Sequence, residues 1–231
     1  ARAHAALIER ELIGPDGLRL FDRPLRYAGG TMALFQRGES ASYFGREIGL
    51  MYTHAHLRWA EALARLGRAD ALLQALALAN PIGLETLVPQ AAPRQRNCYH
   101  SSSDAAFADR HEASLHYDRV RRGEVALEGG WRIYSSGAGI AYRLVVQHLL
   151  GLNQQQHRLG IDPVLSPALD GLVVQLPLYG HTVRVRYQVG RLGHGPLAAM
   201  LDGQPLVLEV GHNRYRRPGV WVDAEPLRQR L

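Results

Sequence analysis

Two stretches of this sequence carry side chains that could bind an anion together. In the first, YFGREIGLMYTHAHLRWAEALARLG at positions 43–67, the helical repeat places Glu47, His54, Arg58 and Glu61 on one stripe. An imidazole and a guanidinium on one helix face can both donate hydrogen bonds to an anionic ligand. The alternative interpretation is a solvated helix face with a histidine that neighbouring groups satisfy.

The second stretch is Tyr134–Gly139 (YSSGAG), which leads directly into a predicted helix. Backbone N–H groups at a helix start, the hydroxyls of Ser135 and Ser136, and glycines that permit close approach make a cradle for an anion. The alternative is an N-cap followed by a tight helix contact. Neither stretch decides the question alone, but the two together favour an anion site.

Metal-binding patterns are not found at the required spacing. His111-Glu112 is followed by His116, one position too far for the zinc-binding helix pattern, whose second histidine stands at i+4. His54 and His56 point to nearly opposite sides of their helix and cannot hold one metal ion together. The sequence therefore predicts no metal site.

The apolar periodicity of four segments predicts helices at 3–13, 47–66, 68–79 and 135–150. Gly67 and Gly151 are the expected C-terminal caps of the second and fourth helices. Because a short turn joins the second and third helices, these must lie antiparallel. Residues 80–103 are predicted to be loop, and residues 105–122 to be helical in part.

From about residue 159 the pattern changes to short runs of alternating apolar and polar residues separated by turn signals. Thr182–Val189 is the clearest strand, and Asp202-Gly203 is the clearest hairpin turn. The predicted fold class is therefore α+β, with a helical part at 1–155 and a small β part at 156–231.

Composition narrows the classes of function. All 27 basic residues are arginine and the net charge is +6, but the arginines are scattered, so we expect no nucleic acid as partner. No apolar run reaches the roughly 18 residues of a membrane helix, so no membrane contact is expected of this segment. The single cysteine, Cys98, fits a reducing, cytoplasmic compartment. The first residues already read as helix without a starting Met, so we expect the chain to be cut from a longer protein.

The chain contains, in this order, FGREIGLMYTHAHLRWAEALA, NCYHSSSDAAFADRHEA, LEGGWRIYSSGAGI followed by LLGL, and IDPVLSPALDGL. These motifs resemble the C-terminal half of the family 94 glycoside phosphorylases, which include the cellobiose and chitobiose phosphorylases. The resemblance extends over essentially the whole chain. The forms SSSDA and YSSG are similar to the branch of the family that acts on β-1,2-glucans.

The resemblance implies a fold and a reaction. Residues 1–155 would be the last helices of an (α/α)6-barrel, and residues 156–231 a jelly-roll-like C-terminal domain. The implied reaction is inverting, reversible phosphorolysis of a β-glucosidic bond, giving α-glucose 1-phosphate. The expected partners are a β-glucan oligosaccharide and inorganic phosphate as co-substrate. No other cofactor is implied, and a homodimer is left open.

The resemblance also assigns the phosphate site. His54 matches the family's phosphate-binding histidine, and Ser135-Ser136 match its Thr-Gly pair. A serine in place of threonine keeps the hydroxyl. Ser136 in place of glycine brings a Cβ to a point where the family's backbone approaches phosphate closely, which puts that contact in question.

Other family positions are less well matched. Arg46-Glu47 match an Arg-Glu pair near the sugar subsites, whereas Asn97 stands where relatives have a glutamate before Pro-Tyr, so that contact is changed. The family's general acid is an aspartate upstream of anything that matches residue 1. We therefore expect no catalytic acid in this chain and no turnover by these residues alone.

Three hypotheses follow. The first is part of a free phosphorylase acting on 1,2-β-oligoglucans, and the second is the phosphorylase module of a cyclic β-1,2-glucan synthase. The third, from a different class, is an inactive carbohydrate-binding remnant. The sequence upstream separates the first two, and an assay for glucose 1-phosphate separates both from the third.

Overall fold

The computed structural model describes residues 1–23, 51–80, 82–93, 102–108, 110–130 and 135–230. The helices are α1 (Arg2–Leu12), α2 (Thr53–Leu66), α3 (Ala69–Ala79), α4 (Leu84–Leu87), α5 (Arg110–Arg121), α6 (Ser135–Arg143), a π-helix (Leu144–Leu149), a 3-10 helix (Pro167–Leu169) and α7 (Glu225–Arg230). The strands are β1 (Ile13–Gly14), β2 (Gly17–Leu18), β3 (Ala91–Pro93), β4 (Ser102–Ala105), β5 (Leu127–Gly130), β6 (Leu152–Gln154), β7 (Arg158–Ile161), β8 (Val173–Leu178), β9 (His181–Arg186), β10 (Met200–Leu201), β11 (Gln204–Pro205), β12 (Glu209–Val210) and β13 (Val220–Asp223). Helices with small, mainly antiparallel sheets place the protein in the α+β class, as predicted.

The helices predicted from apolar periodicity are largely confirmed. Gly67 and Gly151 have φ angles of 75° and 72°, the left-handed conformation expected of glycines that end helices. The ring of His56 on α2 lies 2.7 Å from the carbonyl of Ala75 on α3, which confirms that these helices run antiparallel. The predicted helix at 135–150 is α-helical only to Arg143, and the π-helix then continues it.

The start of helix α2 corrects the sequence prediction. The helix begins at Thr53, because the two residues before it are bound elsewhere, and the predicted helical positions 47–50 lie outside the described residues. The N–H of Met51 donates to the Asp16 carboxylate at 2.8 Å, and the next N–H donates to the carbonyl of Leu18 at 3.0 Å. Donors used in this way cannot also bond to carbonyls of a preceding helical turn.

The chain forms two compact units. The first comprises Ala1–Trp59 and Ala75–Ile140, and the second comprises Ala60–Gln74 and Ala141–Leu231. The division predicted from the sequence, at 1–155 and 156–231, stays a prediction.

In the first unit, β5 is the central strand of a small sheet, parallel to β3 and antiparallel to β4. The segment predicted as loop at 80–103 thus contributes β3, part of β4 and the short helix α4. The hydrophobic core of this unit is formed by Met51, Leu84, Val88, Ala91, Ala113, Tyr117, Val120, Val125 and Leu127. Strands β1 and β2 form a two-stranded hairpin, in which Ile13 pairs with Leu18 and Gly14 with Gly17.

The second unit contains a four-stranded antiparallel sheet in the order β12-β13-β7-β6, and the hairpins β8–β9 and β10–β11. The predicted Asp202-Gly203 turn is confirmed, since both residues have positive φ (49° and 79°), as the tight hairpin turn requires. The predicted alternation in Thr182–Val189 is also confirmed, although strand β9 ends at Arg186. The core of this unit is formed by Leu152, Leu159, Leu178, Leu201, Val222 and Leu227.

Within the described ranges, none of the helices has the length and apolar character needed to span a membrane.

Candidate functional site

The predicted phosphate-binding residues lie in the first turns of two helices. His54 is the second residue of α2 and is half-buried, and Ser135 and Ser136 are the first two residues of α6. All three belong to the first unit. A helix N-terminus presents free N–H donors and the positive end of the helix dipole, both of which favour an anion. Outside the described residues lie the predicted sugar-contacting positions Arg46, Glu47 and Asn97.

The β1–β2 hairpin is hydrogen-bonded to the start of helix α2. Oδ2 of Asp16 accepts from the N–H of Met51 at 2.8 Å, and the Leu18 carbonyl accepts from the N–H of Tyr52 at 3.0 Å. In the other direction, the N–H of Leu18 donates to Nδ1 of His56 at 3.1 Å. The helical turn that carries the predicted phosphate-binding histidine is therefore held by this hairpin on both sides.

The two histidines of α2 occupy different environments, as their spacing predicted. His56 is 1% exposed, whereas His54 is only partly buried. Because Nδ1 of His56 accepts a hydrogen bond from Leu18, its Nε2 carries the proton and donates to the carbonyl of Ala75 at 2.7 Å. Burial lowers the pKa of His56, and it outweighs the Ala75 carbonyl and the Asp16 carboxylate, which both raise it. His56 is therefore a neutral structural residue at pH 7.

A fully buried charge pair, Asp16 and Arg19, lies at the β1–β2 hairpin. Asp16 and Arg19 are both 0% exposed, and their side chains approach to 3.6 Å. Arg19 also donates to the hydroxyl of Tyr117 at 3.1 Å, and burial raises the pKa of that hydroxyl while the guanidinium opposes the rise. A Cβ at Gly14 would overlap the guanidinium, so this position has room only for glycine.

Sequence reasoning missed this buried pair. In the sequence, Gly14-Pro15-Asp16-Gly17 indicates only a turn, and Arg19 cannot be distinguished from the other scattered arginines. The available signal was the pair of glycines that flanks Asp16, at Gly14 and Gly17. Both are crowded, since a Cβ at Gly17 would lie 2.7 Å from the Met51 side chain.

Glu61, the last member of the predicted stripe, is an ion-pair partner in the second unit. Its carboxylate lies 3.0 Å from the guanidinium of Arg65 and 2.7 Å from that of Arg143, with the ring of His148 at 4.0 Å. Only 13% of the Glu61 side chain is exposed, so it is not part of a solvated face. Arg58, which precedes it on the stripe, is exposed.

The π-helix explains how Arg143 and His148 come together. They are five residues apart, and the backbone hydrogen bonds of a π-helix join residues i and i+5, so the two side chains lie on the same side of the helix. Nη1 of Arg143 lies 3.1 Å from Nε2 of His148. Burial lowers the pKa of His148, and the Glu61 carboxylate partly opposes this effect.

Within the described ranges, no three His, Cys, Asp or Glu side chains are grouped so as to hold a metal ion.

Comparison with known proteins relates the chain to a phosphorylase. It is 42% identical over 210 residues to the 1,2-beta-oligoglucan phosphorylase of Listeria innocua serovar 6a, and the match covers 91% of this chain and 19% of that protein. It is 27% identical over 180 residues to the cyclic beta-(1,2)-glucan synthase NdvB of Rhizobium meliloti, covering 76% of this chain and 6% of that protein. No protein-family model matches. The resemblance to this group of proteins, predicted from the motifs, is confirmed, and the chain spans about a fifth or less of the length of these relatives.

Proposed function

We propose that this chain supplies the phosphate-binding half of the active site of an inverting β-glucan phosphorylase. The observation that carries the proposal is the 42% identity, over 91% of the chain, with the 1,2-beta-oligoglucan phosphorylase of Listeria innocua. Such an enzyme cleaves a glycosidic bond with phosphate and so transfers a glucosyl group. The substrates would be β-1,2-glucooligosaccharides and inorganic phosphate, and the sugar product α-glucose 1-phosphate.

The chemistry of phosphorolysis explains why a phosphate cradle is needed. An inverting hydrolase uses one carboxylic acid to protonate the leaving oxygen and one carboxylate to activate water. Phosphate is already anionic and needs no activating base, so donors that hold it on the face opposite the leaving sugar replace that base. Imidazole, hydroxyl and backbone N–H groups are suited to this task because they stabilise negative charge in a fixed geometry.

The positions of the three candidate residues support the proposal. His54 and the Ser135-Ser136 pair stand in the first turns of α2 and α6, and all belong to one unit. Gly139, in the same helix as the serines, is exposed, and a Cβ there would meet nothing among the described residues within 4 Å. Among the described residues, therefore, no tight contact at Gly139 supports the alternative interpretation of the stretch Tyr134–Gly139.

The remaining parts of the proposal come from the family resemblance. The general acid would be an aspartate outside this chain, so the 231 residues alone would not turn over. The helices would complete an (α/α)6-barrel, the β part would be a jelly-roll-like domain, and the enzyme would act in the cytoplasm. Arg46, Glu47 and Asn97 would contact the sugar.

A second candidate is the phosphorylase module of a cyclic β-1,2-glucan synthase. The observation that favours it is the 27% identity with the synthase NdvB over 76% of the chain. The higher identity with the oligoglucan phosphorylase makes the free enzyme the preferred proposal. Reading the gene upstream separates the two, because a synthase would carry a glycosyltransferase and membrane helices there.

The test uses the complete gene product with β-1,2-linked glucooligosaccharides and inorganic phosphate. We expect release of glucose 1-phosphate, identified as the α-anomer by NMR. His54→Ala should raise the KM for phosphate by about a hundredfold or abolish turnover, because a donor to a charged group is lost. Ser135→Ala should raise the same KM, whereas Ser135→Thr should leave it unchanged.

His4→Ala is the matched control, since His4 is an exposed histidine on α1. It should leave the phosphate dependence as in the wild type. An unchanged phosphate KM in His54→Ala would refute the assignment of His54 to the phosphate site, although it would leave the proposed phosphorylase activity standing. A complete gene product that releases no glucose 1-phosphate would favour the inactive carbohydrate-binding remnant.

A further inference from the structure

We propose that His56 is a positioning residue that fixes His54 toward phosphate, acting through its hydrogen bond to the β1–β2 hairpin; this inference rests on the proposed function. His56 is 1% exposed, and both nitrogens of its ring are hydrogen-bonded within the protein. It stands two residues after His54 on α2, and its ring joins three segments of the first unit: β2, α2 and α3.

The backbone on either side of His54 is hydrogen-bonded to the β1–β2 hairpin. Tyr52, two residues before it, donates its N–H to the Leu18 carbonyl at 3.0 Å. His56, two residues after it, accepts from the Leu18 N–H at 3.1 Å. Both peptide groups of one hairpin residue thus hold the helical turn that carries His54, which fixes where its Cα and Cβ can lie.

The ring of His54 lies beside the ring of Tyr52. The rings of Tyr52 and His54 are nearly parallel, with an interplanar angle of 13° and centroids 6.3 Å apart. Because the Leu18 contact fixes the backbone of Tyr52, the hairpin also influences the position of the tyrosine ring beside the imidazole of His54. A binding group must be held within about half an ångström of its productive position, so a small shift of this turn would weaken phosphate binding.

The two ring nitrogens of His56 have different hydrogen-bond partners, and each hydrogen bond can be removed separately by substitution. Nδ1 accepts from Leu18, and Nε2 donates to the Ala75 carbonyl. An asparagine side chain places its amide near the position of Nδ1, whereas a glutamine reaches the position of Nε2. His56→Asn therefore keeps the link to the hairpin, and His56→Gln keeps only the link to α3.

The experiment measures kinetics of phosphorolysis with the complete gene product and both variants. We expect His56→Gln to raise the phosphate KM by about tenfold or more, with the oligosaccharide KM unchanged. His56→Asn should stay within about threefold of the wild type, although both variants lose stability. Equal effects of the two variants on the phosphate KM, or an equal rise in the oligosaccharide KM, would show a merely structural role.

A measurement on the wild-type protein keeps the inference testable if the variants do not fold. If the β1–β2 hairpin positions His54 for phosphate binding, bound phosphate must in turn stabilise the hairpin, because the free-energy coupling between the two is reciprocal. Saturating inorganic phosphate should therefore slow hydrogen exchange in peptides covering residues 13–19, and it should not do so in His54→Ala. Unchanged exchange in the wild type would overturn the inference.

The two proposals fail in different ways. If His54→Ala leaves both the phosphate KM and the phosphate-dependent protection unchanged, the phosphate assignment itself is wrong. If His54→Ala removes the phosphate dependence but His56→Gln does not alter it, only the positioning role of His56 is wrong.

Discussion

Replacing Asp16 with asparagine tests whether the buried charge pair holds the hairpin in place. Asparagine keeps an oxygen that can accept from the N–H of Met51, so the substitution removes mainly the negative charge. Arg19, 0% exposed and 3.6 Å from the lost carboxylate, would then be a buried cation without its charge partner. Removing one member of a buried pair costs about 3 kcal/mol of folding free energy.

The assay is hydrogen exchange of the complete gene product, followed in peptides that cover residues 10–23 and 51–60. A loss of about 3 kcal/mol in the local opening free energy corresponds to exchange faster on the order of a hundredfold. Peptides from strands β8 and β9 in the second unit should be unaffected and serve as an internal reference.

Asp22→Asn is the matched control, because Asp22 pairs with Arg23 in the same segment but with both side chains more than half exposed. An exposed pair contributes little, so this variant should exchange like the wild type. The double variant Asp16→Asn/Arg19→Met, which removes both charges, should lose less local opening free energy than Asp16→Asn and should therefore exchange more slowly. Equal exchange rates in Asp16→Asn and Asp22→Asn would refute the reasoning.

Other buried or crowded positions should also respond to pH or to substitution. Burial lowers the pKa of His56 below the unfolded value of about 6.5, so neutral His56 contributes its full stability above that pH. As the pH falls below about 6.5, the free energy of unfolding should decrease by about 1.4 kcal/mol per pH unit until the folded pKa is reached. Urea unfolding between pH 8 and pH 5 should show this slope, and His56→Gln should reduce it. Glu61→Gln should lower the pKa of His148 further in an NMR titration, because the Glu61 carboxylate has the largest effect among the groups that raise that pKa. An unchanged or higher pKa would contradict the ion-pair geometry. Gly67→Ala should destabilise by about 2–3 kcal/mol in thermal unfolding, because its Cβ would lie 2.7 Å from a histidine ring. Gly83→Ala, at nearly the same φ but with no atom of the described residues within 4 Å, should cost only about 1 kcal/mol.

Local sequence signals predicted local structure well. The helix-ending glycines Gly67 and Gly151 and the turn at Asp202-Gly203 were recognisable because only a few residues adopt positive φ without strain. The antiparallel arrangement of α2 and α3 followed from the length of the turn between them. In each case the cause of the structure lies within a few residues of the feature itself.

Structure that depends on distant segments was not predictable in this way. Apolar spacing extended helix α2 back to Glu47, but its start is set by Asp16 and Leu18, which lie far away in the sequence and bind the N–H groups before Thr53. The π-helix was predicted as plain α-helix, because both share the same apolar spacing over a single turn.

The candidate site shows the same division between local and distant causes. The sequence prediction placed His54 and Glu61 on one stripe because it rested on helical periodicity alone. In the structure Glu61 is bound by Arg65 and Arg143, whereas His54 stands on the turn that the β1–β2 hairpin holds. In the proposed site, the imidazole of His54 would be positioned by groups that do not touch phosphate. Variation in the buried residues Asp16, Arg19 and His56 should therefore change phosphate affinity before it changes recognition of the sugar.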